Sequence, residues 1–183
     1  MKTSSWARRA TTRALAAALP LLVGCGGSSG TPAGGLAPGI STAASSPAVS
    51  FAYDSLDDRP VSAEATRGKP TVLVFVTTGS LPAQAQVDYL VVMAGHDGDR
   101  TNYVVVALDP RDNRELVELY RKALKVQFPV AMADDLTRSG SGPFGDVTGV
   151  PVTVVLDRQG RIVARIDGRV AKSEELRAAL RGL

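Results

Sequence analysis

The chain has 183 residues, enough for one domain with one core, and its single cysteine, Cys25, excludes an intramolecular disulfide. A formal charge of +3 arises from 21 Lys and Arg against 18 Asp and Glu, but Lys2, Arg8, Arg9 and Arg13 lie in a segment with the layout of a leader. Without those four, 21 becomes 17 against 18, a balance of −1, and the electrostatic case for nucleic acid as a partner disappears.

Residues 1–24 combine that basic start with an apolar run, Ala14 to Val23, too short to span a bilayer, and read as a secretory signal. Arg8-Arg9 is followed by Ala10-Thr11-Thr12, which lacks the apolar pair of twin-arginine export signals, so the pair reads as plain leader charge. The signal ends in Leu22-Val23-Gly24-Cys25, which resembles a bacterial lipobox. The resemblance implies that the Cys25 thiol is acylated, becomes the first mature residue and anchors the chain in a membrane of the cell envelope, on its periplasmic face. Gly26 stands where lipoproteins retained at the inner membrane carry Asp, which favours the outer membrane. Residues 25–48 are Gly, Ser, Ala, Thr and Pro with almost nothing apolar of size, a flexible tether spanning about 25–30 Å.

The remaining residues, 49–183, read as one α/β domain. Phe51-Ala52-Tyr53 and Arg59-Pro60-Val61 flank a polar turn and predict a hairpin. Thr71 to Val76 is a short run of β-branched and apolar residues, the pattern of a strand buried on both faces. Thr77-Thr78-Gly79-Ser80 then breaks the strand, Pro82 fits the first turn of a helix, and a helix is predicted onward through Met93, with Gly95 as its stop. Ser80 is placed to cap that helix. His96 falls in the polar loop expected after it and reads as a solvated residue, there being no second His or Cys to share a metal.

Tyr103 to Leu108 predicts a second buried strand, closed by Asp109-Pro110 as a turn. Asp112 and Glu115 have capping-box spacing, and Leu116, Leu119, Tyr120, Ala123 and Leu124 give the next helix an apolar stripe, with Glu118 and Lys122 paired on the wet side. A strand through Val154 to Leu156, the turn Asp157 to Gly160 and a strand over Arg161 to Ile166 form a closing hairpin, and Ser173 is expected to cap a final helix.

Two segments resemble a known family. Gly68-Lys69-Pro70, the buried strand and the turn into a helix are similar to the stretch that, in thioredoxin-like proteins of the TlpA/ResA or redoxin type, leads into Trp-Cys-Pro-Pro-Cys. Gly149-Val150-Pro151-Val152-Thr153, followed by a strand and an acid-Gly turn, is similar to the second motif of that family. The resemblance implies a thioredoxin-like three-layer fold, a central mixed β-sheet flanked by helices, with the first hairpin as an N-terminal extension. It implies a cis Val150-Pro151 bond beside the active turn.

In the family's register Gly79 replaces Trp, Ser80 and Ala83 replace the two redox cysteines, and Gln86 replaces an acid used for proton transfer; Asp88 stands in place of a helix proline. Nucleophile, resolving thiol and acid are thus all missing, and Ser80 cannot cycle through a disulfide. The expectation is a redox-inactive, membrane-tethered lipoprotein that binds an extended peptide or partner protein through Gly79, Ser80, Val150 and Pro151, with no metal and no cofactor. The alternatives are a thiol-disulfide oxidoreductase or peroxidase relative and a structural subunit of an envelope complex.

Overall fold

The computed structural model describes residues 47–183; the leader, Cys25, Gly26 and the tether up to residue 46 lie outside the described residues. In chain order the elements are β1 (Ala52–Ser55), β2 (Val61–Ser62), α1 (Ala63–Thr66), β3 (Thr71–Val76), α2 (Leu81–Asp97), β4 (Asn102–Ala107), α3 (Arg114–Ala123), β5 (Val130–Met132), α4 (Asp135–Arg138), β6 (Val152–Leu156), β7 (Ile162–Ile166) and α5 (Ser173–Leu180). The strands form one seven-stranded sheet ordered β2-β1-β5-β4-β3-β6-β7. Strand β3 runs parallel to β4 and antiparallel to β6, so the sheet is mixed, with the Thr71–Val76 run near its middle. Every residue of β3 is buried, as expected of a strand covered on both faces.

Alternation along the strands divides the core. Val72, Val74, Val76, Val105 and Val155 pack with Val87, Leu90 and Met93 of α2, Val117 of α3 and Leu176 of α5. Leu73, Phe75, Val104, Val106 and Val154 face the other way, against Phe51, Tyr53, Phe144 and Val147. The second layer is thin: short α1 contributes Ala63, and the stretch after β5 supplies Ala133, Phe144 and Val147. Aromatic rings fill it, with the Phe144 ring centroid 5.2 Å from those of both Phe51 and Phe75. This is the thioredoxin-like three-layer layout, and the first hairpin extends it, Tyr53 pairing with Val61 while β1 also pairs with β5. Both core layers lie wholly between Val49 and Leu183.

Four local expectations are corrected. Helix α2 does not stop at Gly95. It continues to Asp97, because Gly98, at φ +56°, can take a positive backbone angle and cap the helix by donating to the Ala94 carbonyl. His96 is therefore an exposed residue of the last helical turn rather than of a loop. The capping box at Asp112 does not form: a 3₁₀ turn, Arg111–Asn113, precedes α3, and Asn113 makes no side-chain cap bond. On α3 the inward stripe is the buried Val117 with the half-buried Tyr120 and, at the cap, Leu124, whereas Leu116 and Leu119 are exposed and so is Ala123. Two overlapping stripes share Tyr120 and Leu124, and the one with Val117 faces inward while Arg114 reaches Asp54 and the Ser55 carbonyl of β1. Lastly, Ser173 is the first residue of α5 rather than its cap; Glu175 reaches back to accept from the Lys172 N–H at 2.9 Å.

Candidate functional site

The site forms where β3 gives way to α2. Ser80 N donates to the Thr77 carbonyl at 3.1 Å and closes the turn. Thr78 is held by Asp109, whose carboxylate accepts from Thr78 N at 3.1 Å and from Thr78 Oγ1 at 2.6 Å. Asp109 ends up there because β4 runs parallel to β3, and the residue two beyond Ala107 comes level with the turn that follows Val76. Read from sequence, Asp109 was only a turn residue. Its contact depends on the two strands being parallel neighbours, since an acid just past the end of one strand then faces the turn leaving the other.

Ser80 has extended backbone, φ −96° and ψ 112°, and its Oγ accepts from Ala83 N at 3.3 Å as the N-cap of α2. Pro82 occupies the second helical position, where its missing N–H costs nothing. The hydroxyl is thus engaged as an acceptor by the helix, and the Asp109 carboxylate at this turn is bonded to Thr78. Leu81 projects outward, 78% exposed. Gly79 is exposed as well, and a Cβ built on it would meet open space. Nothing in the local geometry requires glycine where the resembling family has Trp.

One turn further on, the helix faces the core. Ala83 and Gln86 are fully buried. Gln86 Oε1 accepts from Ala171 N at 2.5 Å, tying α2 to the segment before α5, while Gln86 Nε2 has no partner among the described residues. Thr153 Oγ1 is likewise unpartnered and buried. Thr153 pairs with Val74, so its side chain lies on the same sheet face as α2. Ser80, Ala83 and Gln86 therefore share the first turns of one helix, from the surface inward.

The Val150-Pro151 peptide bond is cis. Antiparallel pairing of Phe75 with Val152 brings Pro151 level with Val76, and Val150 level with Thr77, at the end of β3 where the Ser80 turn departs. Pro151 O accepts from Gly168 N at 3.0 Å, and Val150 N donates to the Thr148 carbonyl at 3.0 Å. Of Val150's two backbone groups, only the carbonyl lacks a described partner. Thus the topology gathers Gly79, Ser80, Val150 and Pro151 at one end of the sheet. Cys25 lies outside the described residues. Among these residues no three His, Cys, Asp or Glu side chains come together as a metal would need. Tyr120 packs at the edge of the helical core layer with its hydroxyl unpartnered, and burial first, then Asp88 and Asp109, raises its pKa.

No family model matches the sequence, and no curated protein does. Solved structures do. A DsbF homologue from Corynebacterium diphtheriae superposes with a TM-score of 0.68 at 20% identity, covering 84% of this chain and 96% of its own. A thiol:disulfide interchange protein from Chlorobium tepidum, described as a thioredoxin family protein, gives 0.62 at 24%, covering 76% and 97%. These two establish the fold. A thio-disulfide isomerase from Thermus thermophilus is 30% identical, covers 79% of this chain and 95% of its own, and gives a TM-score of 0.55. With the parallel β3 and β4, the helix-capping turn and the proline loop in place, that identity over most of both chains makes this chain a member of the thioredoxin family.

Proposed function

We propose that this domain is a redox-inactive member of its family, held at the envelope by a lipid on Cys25, that binds an extended peptide or partner protein across the Ser80 turn. One observation carries the reading. The helix N-terminus at which a family thiol would be activated is occupied by Ser80 acting as a cap, and no cysteine follows Cys25 in the sequence. A serine hydroxyl does not form a disulfide, and Gln86, beneath the turn, carries no titrating proton.

What survives is shape and backbone. The Val150 carbonyl is free to accept from a peptide N–H, while its own N–H is turned toward Thr148 and would have to leave that bond to complete a two-bond strand pairing. Binding through such an edge gains affinity from main-chain bonds and selectivity from neighbouring side chains, of which Leu81 is the most exposed apolar one at the turn.

The names of the structural neighbours favour a second reading, a thiol-disulfide oxidoreductase. The same experiment separates the two. Residues 47–183, which contain both core layers and no cysteine, are assayed for insulin reduction beside the variant Ser80→Cys, Ala83→Cys. The wild-type domain is expected to match background. In the variant, the helix N-terminus lowers the pKa of the outer thiol, and the buried thiol one turn along can resolve it. It is expected to close an intramolecular disulfide in oxidised glutathione and to gain weak reductase activity, with Gln86 still unable to pass a proton. Insulin reduction by the wild type would end the inactive reading; a variant that crosslinks only between molecules would show that residues 80 and 83 do not stand in the redox positions. A third role, as a structural subunit of an envelope complex, would appear as stoichiometric recovery of fixed partners after mild detergent extraction.

A further inference from the structure

The opposite end of the sheet has a character of its own. The chain entering β3, the chain entering β4 and the last turn of α5 surround an open hollow of about 660 Å³. Five residues around it are cationic and exposed: Lys69, Arg100, Arg158, Arg177 and Arg181. The acids lining it are Asp97 and Asp99. Arg100 approaches Asp97 at 3.8 Å with its own side chain 79% exposed, a loose pair, and Arg158 donates to the Leu183 carbonyl at 2.8 Å. Among the described residues no acidic side chain pairs with Lys69, Arg158, Arg177 or Arg181.

Overall basicity does not account for this patch. Beyond the leader, 17 cations face 18 acids, so five against two at one end is a segregation of charge. The chain also comes into the domain here. Ala48 bridges Arg161, and Val49 N donates to Gly160 O at 2.9 Å, on the β6–β7 turn that carries Arg158. Whatever precedes residue 48 therefore joins the domain beside the cationic hollow, and the Ser80 turn lies at the far end of β3, roughly 17–20 Å away for six extended residues.

We infer that this cationic end is a docking surface for the anionic phospholipid headgroups of the bilayer to which the tether leads. The inference rests on the reading of Cys25 as the anchor for which bilayer is met, and on the patch itself for the binding. Separated lysines and arginines near an anionic surface each strengthen association about fivefold, and the effect fades within a Debye length. Seated this way, the domain turns Ser80, Val150 and Leu81 toward the aqueous side, where a peptide can reach them. The tether then sets the local concentration and the patch sets the orientation.

The test uses the chain from Gly26 onward, which lacks the cysteine and keeps both core layers, so acylation contributes nothing. Its binding is measured to vesicles containing phosphatidylglycerol, to vesicles of phosphatidylcholine alone, and in competition with inorganic phosphate. Binding to the anionic vesicles only, falling as salt is raised and weakened about 100-fold by Lys69→Gln, Arg177→Gln, Arg181→Gln, is expected. Arg181→Gln alone, at an exposed position, is expected to weaken it about fivefold and serves if the triple variant fails to fold. Equal binding to both vesicles, indifference to these substitutions, or displacement by millimolar phosphate would overturn the proposal, the last by revealing a site for the free anion. The anchor is tested apart: fatty-acid labelling of the full chain in cells, lost in Cys25→Ala, speaks to Cys25 whatever the vesicles show.

Discussion

Two residues hold the turn after β3 by different means. Ser80 gives the helix a cap through a single bond of 3.3 Å, long for its type. Asp109 gives the turn two bonds, to a backbone N–H and a hydroxyl of the same residue, from a side chain that is 7% exposed at the residue level. Removing an N-cap costs about 1 kcal/mol, whereas leaving two donors of a half-buried turn without their acceptor costs about 1–3 kcal/mol. Asp109→Ala is therefore expected to lower the melting temperature more than Ser80→Ala, with Asp109→Asn between them because one amide oxygen can still accept. Equal losses would mean that water replaces the carboxylate at no cost. The cap was legible in sequence, since Ser before Leu-Pro-Ala announces a helix start. The Asp109 contact was not: it joins residues 31 positions apart and exists only through the parallel pairing of β3 with β4.

The same divide governs the elements. Strand β3 could be read directly because six consecutive apolar or β-branched residues admit few other structures. The hairpin of β6 and β7 could be read because Gly160, at φ +80°, occupies the left-handed position its sequence offered. Helix α3 was harder. Its sequence carries apolar residues on more than one face, and period alone does not choose whether Tyr120 and Leu124 turn inward with Leu116, Leu119 and Ala123 or with Val117. The choice is made by what anchors the helix: Arg114 is held at β1, and Arg121 forms a two-pronged pair with Glu118 along the partly exposed side. A smaller side chain should consequently matter more than a larger one. Val117→Ala, at a fully buried position, is expected to cost about 1.5 kcal/mol or more from lost burial and the cavity left behind, while Leu119→Ala, 62% exposed, stays within about 0.5 kcal/mol. Urea melts of the two variants decide it; a Leu119→Ala loss exceeding that of Val117→Ala would restore the sequence-derived stripe.

At the scale of the whole molecule, pH probes both core layers together. Tyr53 lies in the aromatic layer, and burial, partly offset by its hydrogen bond with Thr137, pushes its pKa up to about 12. Tyr103 and Tyr120 belong to the helical layer, and burial is the main cause raising each of them further. A folded pKa above the unfolded value of about 10 means that the unfolded chain gives up the phenolic proton first. The stability contributed by each neutral tyrosine is then complete below about pH 10 and is lost as pH rises toward its folded pKa. Glu175 has the opposite sign: paired through both oxygens with Arg169 at 2.9 Å and bonded to Lys172 N, its carboxyl lies below the usual range. Its contribution is present above the unfolded pKa and lost as pH falls, and partial exposure of the pair to solvent keeps it small. The melting temperature should thus decline gently on the acid side and steeply above pH 10. Since Tyr53 sits against Phe75 of β3 while Tyr103 is part of β4, ionising either one injures a strand that both layers share. In a Tyr89→Phe background, which removes the one exposed tyrosine, tyrosinate absorbance and far-ultraviolet circular dichroism should therefore change together in a single alkaline transition. Tyrosines that ionise well before the helical signal is lost would show that the layers yield separately and that burial of these three rings does not hold the domain as one unit.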